Sequence, residues 1–467
     1  MKPSSLRSEH AAVGLFAPVF SRGPVAREVS DAAFLQAMLD TEAGLARALS
    51  RAGFFPTEVG RAVTVAARAD SFDIEELSRA SAEAGNPVPA LVRALIAAVP
   101  REAADAVHVG ATSQDIIDTA FMLVAKRSLL FVLSDLSAAA ETCAALAERH
   151  RATVMVGRTL LTPALPLTFG LKAALWLEAI GRAKARISAV FASLPLQFGG
   201  AAGTLSVLED KGLEVSRFFA EEVGLVEPPV PWHTFRLPVI ELASALSGAS
   251  AVMGKVARDS LLLAQPEVGE LESRGDGGTS STLPQKRNPV EAVSVLGCTR
   301  RVPGLLATLV AASEHEHERA AGGWHAEWET LRDLLRLVGS ASAWGRELVE
   351  GLRVDAVRMR RNLDATNGSL LAERVAALLA PKVGRLEAHS LVRRAALFAR
   401  DAQRPFVDAL FEDEECRFAL QNAGLDRPRI EQALDPLTYL GSTDAFIDRV
   451  LAIHRGKKND TGPSVIR

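Results

Sequence analysis

The sequence predicts an all-α protein of three helical domains, the middle one a bundle of long helices. Three observations carry this. Ala and Leu are abundant, whereas Tyr occurs once and the aromatics make up only 5% of the chain; this suits closely packed helices and disfavours sheets, which favour aromatic and β-branched residues. From Ser113 to about Val354, Ala/Leu-rich segments run with few breakers. At roughly 25 residues or more, such segments reach about 40 Å at 1.5 Å per residue, which implies an extended, near-antiparallel bundle. Finally, 467 residues with 48% hydrophobic side chains allow about three domains and a large core.

Helical periodicity begins near Asp31. Phe34, Leu35, Met38, Leu39 and Leu45 share a face, with Asp40, Glu42 and Arg47 interleaved. Asp73 precedes Ile-Glu-Glu-Leu as an N-cap, Gly85-Asn-Pro-Val-Pro breaks the pattern, and a short helix follows from Ala90. Residues 1–111 therefore read as an N-terminal helical domain. In the central domain, 112–354, helices are expected near 115–150, 167–194, 209–223, 238–265, 289–313 and 326–351. Short stretches rich in Gly, Pro and Thr lie between them at 157–166, 197–204, 228–238 and 275–289. Functional residues favour such loops on rigid scaffolds. The C-terminal domain, 355–467, has shorter helices punctuated by Pro381, Gly384, Pro405 and Pro428. Its tail from Arg455 has the composition of a disordered segment.

Charge is nearly balanced, 53 Lys+Arg against 56 Asp+Glu for a net of −3, which calls for neither a nucleic-acid nor an anionic-membrane partner. Cys143, Cys298 and Cys416 are far apart. They read as buried apolar side chains in a reducing compartment, with no disulfide framework or metal knuckle. Met1 to Phe20 lacks the pattern of a signal peptide, and no uncharged apolar run of about 18 residues predicts a membrane span. A cytoplasmic protein is expected.

Three stretches carry chemistry. His108-Val-Gly-Ala-Thr-Ser-Gln-Asp115 gathers an imidazole, two hydroxyls and an amide, with Gly110 allowing close backbone approach. Capping of the next helix by Thr112 or Ser113 explains the hydroxyls equally well. In Gly157-Arg-Thr-Leu-Leu-Thr-Pro-Ala164, Arg158 is either a bidentate carboxylate clamp or a surface ion pair. Gly278-Thr-Ser-Ser-Thr-Leu-Pro-Gln-Lys-Arg-Asn-Pro289 is a glycine-led loop before a helix, able to close a hydroxyl and a cation over a substrate. A solvated linker explains its glycines but neither Lys286 nor Asn288.

This last loop resembles the signature of the fumarase/aspartase superfamily, Gly-Ser-Ser-x-Met-Pro-x-Lys-x-Asn-Pro. Ser280 to Pro289 matches it except for Leu283 in place of Met, and Thr279 stands where many members have Gly. Thr41-Glu-Ala43, Asn86-Pro-Val88, His108 to Asp118 and Gly199-Gly-Ala-Ala-Gly-Thr204 resemble other family segments in the same order. Glu316-His-Glu-Arg319, Gly322-Gly-Trp-His-Ala-Glu-Trp328, Val302-Pro-Gly-Leu-Leu-Ala-Thr308 and Pro231-Trp-His-Thr234 with Arg236 are similar to the cycloisomerase branch rather than to adenylosuccinate lyase.

The decisive position is Leu160. Members that expel an amine carry His there, and leucine handles no proton. General acid catalysis contributes about 10²–10⁴-fold. A carboxylate, with a conjugate-acid pKa of about 4, attacks or leaves as the anion and needs none.

The resemblance thus implies lactonisation of a muconate tricarboxylate in aromatic catabolism. Ser280 would exchange the carbon-bound proton, while Lys286 and Asn288 stabilise an aci-carboxylate. His108, Thr112, Ser113, Gln114, Arg158, Thr159, His233, Arg236 and Ser281 would bind the substrate. It implies no cofactor, and a homotetramer whose sites draw loops from three subunits. No metal is expected either: His315 and His317 would face different sides of a helix, and with His325 they read as structural. Thr162, Phe235, Leu237 and Gln285 depart from the family pattern around the pocket. They leave open a sulfonated muconate, an adenylosuccinate-lyase-like reaction or a non-catalytic role.

Overall fold

The structure is a computed structural model that describes residues 15–273, 278, 282, 283 and 285–460. The chain divides into two compact units. The first comprises residues 1–138, 182–257 and 290–347; the second comprises 139–181, 258–289 and 348–467.

The first unit is helical, and two of its helices begin at side-chain caps. Ser30 Oγ accepts from Ala33 N at the start of helix Asp31–Arg51, which buries Leu35, Met38, Leu39, Leu45 and Leu49. Asp73 caps helix Ile74–Ala84 through the amides of Glu75 and Glu76, and Gly85, at φ +74°, ends it. The next helix runs Val88–Ala98, slightly ahead of its expected start. Gly44 is needed where helix Asp31–Arg51 meets helix Gly212–Val223, since a Cβ there would lie 2.5 Å from Val223 Cγ1.

The long helices are Ser113–Arg149, Phe169–Ser193, Leu237–Leu263 and Gly323–Glu350, of 37, 25, 27 and 28 residues. The helix expected over 289–313 is instead two, Val290–Thr299 and Val302–Ala312. Pro303 is responsible: it has no N–H for the helical ladder, and its ring crowds the carbonyl four residues back. Leu237–Leu263 and Val290–Ala312 are apolar enough by length and composition to pass for membrane spans, which the sequence reading had not anticipated. The first carries Glu241, Lys255, Arg258 and Asp259.

The second unit contains two small antiparallel ladders that were not expected from the sequence. Strands β1 (Val154–Thr159) and β2 (Thr162–Thr168) form a hairpin that pairs Thr159 with Thr162. Its two-residue turn is Leu160-Leu161, at φ +50° and +65°. That is the primed-turn geometry that suits a twisted hairpin but favours Asn and Gly, so the sequence held no turn signal. Strands β3 (Leu271–Ser273) and β4 (Leu352–Val354) pair Leu271 with Val354. The C-terminal helices close on Val375, Leu379, Leu391, Phe406, Leu410, Leu420 and Ile430. Pro381 lies in the last turn of helix Ala372–Val383 and does not end it. The last helix continues to Asp460, so the expected disorder from Arg455 is corrected that far; residues 461–467 lie outside the described residues.

Candidate active site

In the first unit the start of helix Ser113–Arg149 organises three loops. Asp115, wholly buried, accepts from Thr112 N at 3.1 Å, a backward cap on the residue before the helix. The same carboxylate accepts from Gln197 Nε2 at 3.0 Å, Gly199 N at 3.1 Å and Gly200 N at 2.8 Å. Burial pushes its carboxyl up to about 6, against the pull of these donors. The segment 197–204 is thereby fastened to the His108–Asp115 loop. Gly200 is close enough that a Cβ would lie 2.8 Å from Gly110 O. Thr112 and Ser113 remain half-buried at this junction, so capping and substrate contact are compatible.

Gln114 is fully buried and engaged at both ends. Its Nε2 donates to His233 O at 2.7 Å and Asp118 Oδ2 at 3.1 Å, while Oε1 accepts from Arg319 at 2.8 Å. The amide expected to grip substrate instead holds the His233 backbone. His233 packs its ring on Gly203, where a Cβ would lie 2.8 Å from Cε1. Its Nδ1 is buried without a partner among the described residues. Burial, and then Arg319, hold the imidazole below its ordinary range.

Arg236 is enclosed. It donates to Asp118 Oδ2 at 2.6 Å and Oδ1 at 3.1 Å, and to Glu327 Oε2 at 2.5 Å, and it stacks 4.6 Å from the centroid of Trp232. Trp324 Nε1 adds a donor to Asp118 at 2.9 Å, and His315 Nε2 lies 3.3 Å from Glu327 Oε1. Burial opposes the charge of Arg236, but the two carboxylates raise its pKa above the usual value. His315 and His317 are not on a helix at all; the segment is a turn with His317 at φ +45°, which replaces the facing argument made from sequence.

His108, at φ +63°, is held by Glu42 through both its backbone amide and its ring. Phe235 and Leu237, 67% and 48% exposed, line an apolar cleft of about 310 Å³ with Trp232 and Val230.

In the second unit Arg158 makes a fork to Glu270, at 3.0 and 2.8 Å, and Asn362 Nδ2 donates to the same carboxylate at 2.8 Å. Glu270 is fully buried. Arg158 is thus an ion pair, but an internal bidentate one. Thr159 is exposed at the end of β1. Asn288 closes the neck of the signature loop: both its amide N and its Nδ2 donate to Gly278 O, at 3.0 and 2.9 Å. Lys286 is exposed, in a turn onto Leu283 O. Ser280 and Ser281 lie outside the described residues.

The lyase family matches residues 23–304, and the adenylosuccinate lyase C-terminus family matches residues 368–450. The chain belongs to the fumarase/aspartase superfamily. Within this superfamily it is 44% identical over 443 residues to a 3-carboxy-cis,cis-muconate cycloisomerase of Bradyrhizobium diazoefficiens, covering 94% of this chain and 97% of that one. It is 42% identical over 462 residues to a nitrosuccinate lyase of Streptomyces davaonensis, covering 96% of each. The solved 3-carboxy-cis,cis-muconate lactonizing enzyme of Pseudomonas putida superposes with a TM-score of 0.87 at 40% identity, covering 95% of this chain and 99% of that one.

For a fumarase/aspartase member, the positioning groups are the part sequence reasoning missed. Asp115, Asp118, Arg319 and Glu42 all sit inside quoted motifs and were passed over there for hydroxyls and histidines. Glu270 had no signal, since its partner is 112 positions away.

Proposed function

We propose that this chain is a 3-carboxy-cis,cis-muconate cycloisomerase. The observation that carries the reading is Leu160, 99% exposed at the tip of the β1–β2 turn, where amine-expelling members place a histidine. A side chain that neither gives nor takes a proton suits only an oxygen or leaving group that reacts as a stable anion. In lactonisation one substrate carboxylate oxygen forms a C–O bond to the diene. The displaced electron pair is held on the carboxylate beside the carbon to be protonated, as an aci-carboxylate. Ser280 then delivers its proton to that carbon, and the same steps run backwards with Ser280 as base.

A serine alkoxide needs electrostatic support, and Lys286 with the amides of its loop is the source assigned here. Thr112, Ser113, Thr159, Ser281, His108 and His233 offer donors to the carboxylates. Gln114, Arg158 and Arg236, engaged as they are with protein groups, act by holding the loops that carry those donors. We further assign the protein to the cytoplasm as a homotetramer with shared sites. Only 22% of the most apolar 18-residue window in the stretch 290–312 is buried within this chain, and subunit contacts would cover the rest.

A second reading is favoured by the nitrosuccinate lyase relative. Nitrite, like a carboxylate, is a weak base and leaves as the anion, so Leu160 permits that elimination too. Ser280 would take the carbon-bound proton, the C–N bond would break with its electrons going to nitrite, and fumarate would form. Loss of diene absorbance with 3-carboxy-cis,cis-muconate, set against nitrite release from nitrosuccinate, separates the two.

A further inference from the structure

Glu42 is wholly buried in helix Asp31–Arg51, yet both its oxygens serve one residue. Oε2 accepts from the backbone N–H of His108 at 3.1 Å, and Oε1 lies 2.7 Å from His108 Nδ1. His108 has φ +63°, a left-handed conformation that costs about 1–2 kcal/mol for a residue with a Cβ. The carboxylate therefore pins the strained backbone and the ring together. An acceptor on Nδ1 places a proton there and turns Nε2 outward. The His108 side chain is 22% exposed, which leaves the imidazole within reach of a ligand.

We propose that Glu42 is the positioning residue that holds His108 as a cation and presents its Nε2–H to a substrate carboxylate. This rests on the reading of His108 as a substrate-binding residue. The charged groups facing the ring are Glu42, from helix Asp31–Arg51, and Asp115, from helix Ser113–Arg149. Burial works against the cation, but Glu42 and then Asp115 outweigh it, and the His108 pKa is raised above its ordinary value.

Glu42→Gln keeps the volume and both contacts. Its amide oxygen accepts from the His108 N–H and its amide nitrogen donates to Nδ1, which leaves a neutral ring. The test is the pH dependence of diethyl pyrocarbonate modification of His108, read by peptide mass spectrometry, since only the neutral imidazole reacts. Glu42→Gln should lower the midpoint by about 1–3 pH units, the effect of losing an adjacent opposite charge. KM for the carboxylate substrate should rise about 10- to 100-fold at neutral pH with kcat little changed, and the gap should close as pH is lowered. In a His108→Gln background, Glu42→Gln should add nothing to KM. An unmoved midpoint in folded Glu42→Gln overturns the proposal, as does an equal KM effect without His108. If Glu42→Gln does not fold, the unaltered protein decides, because a His108 midpoint at or below about 6.5 contradicts it. The modification midpoint needs no turnover, so it stands apart from the cycloisomerase reading.

Discussion

Asp118 and Arg236, on different helices or their approaches, face each other through two hydrogen bonds of 2.6 and 3.1 Å, with side chains 2% and 1% exposed. Glu327 binds the same guanidinium from the other side at 2.5 Å. Removing one member of such a buried set leaves an uncompensated charge, which costs about 3–5 kcal/mol. Arg236→Met should therefore sharply lower the apparent unfolding temperature. A variant within a degree or two of the unaltered protein would show that the charges are not desolvated as the geometry describes.

Asp115 makes stability depend on pH. Burial raises its carboxyl to about 6 in the folded protein, against about 3.9 in an unfolded chain. The folded state thus holds the proton more tightly. The stabilisation from this group is complete below about pH 4 and is lost as pH rises to about 6, a change of about 3 kcal/mol. Urea unfolding of the unaltered protein and of Asp115→Asn across this interval should show the slope in the former and its loss in the latter. Parallel curves would mean that the four donors, and not burial, set the carboxyl.

The helices were legible because their signals are local: the Ser30 and Asp73 caps, the apolar face from Leu35 to Leu49, the long Ala/Leu runs. The β1–β2 hairpin was not, because Leu160-Leu161 adopts a turn that neither residue favours. The break at Arg300-Arg301 follows from Pro303, a local signal inside an otherwise continuous apolar run. At the site, residue types were legible but partners were not. Nothing near Arg158 points to Glu270, and nothing near Arg236 points to Asp118 and Glu327, 118 and 91 positions away. Tertiary pairing decided which of the expected carboxylate clamps were already occupied.

The fork between Arg158 and Glu270 makes arginine irreplaceable by lysine. Lys keeps the charge but makes no bidentate contact, leaving buried Glu270 partly unsatisfied at a cost of about 1–3 kcal/mol. Arg158→Lys should lower both thermal stability and kcat/KM. Full activity in that variant would show that charge alone is required at this position.

Two leucines at positive φ strain the hairpin turn. Replacing Leu160-Leu161 by Asn-Gly, the pair that a primed turn favours, should raise stability by about 1–2 kcal/mol. Calorimetry and sedimentation of the double variant check this together. A loss of stability or of assembly would mean that contacts made by the leucines outweigh the relief of strain.

Cycloisomerase activity and the role of Ser280 are tested together by an ultraviolet assay of the purified protein with 3-carboxy-cis,cis-muconate, run beside Ser280→Ala. Diene absorbance should fall rapidly with the unaltered protein and at least about a hundredfold more slowly with the variant, the low end of what a positioned proton donor contributes. An unchanged diene, or equal rates in the two proteins, would contradict the proposed mechanism.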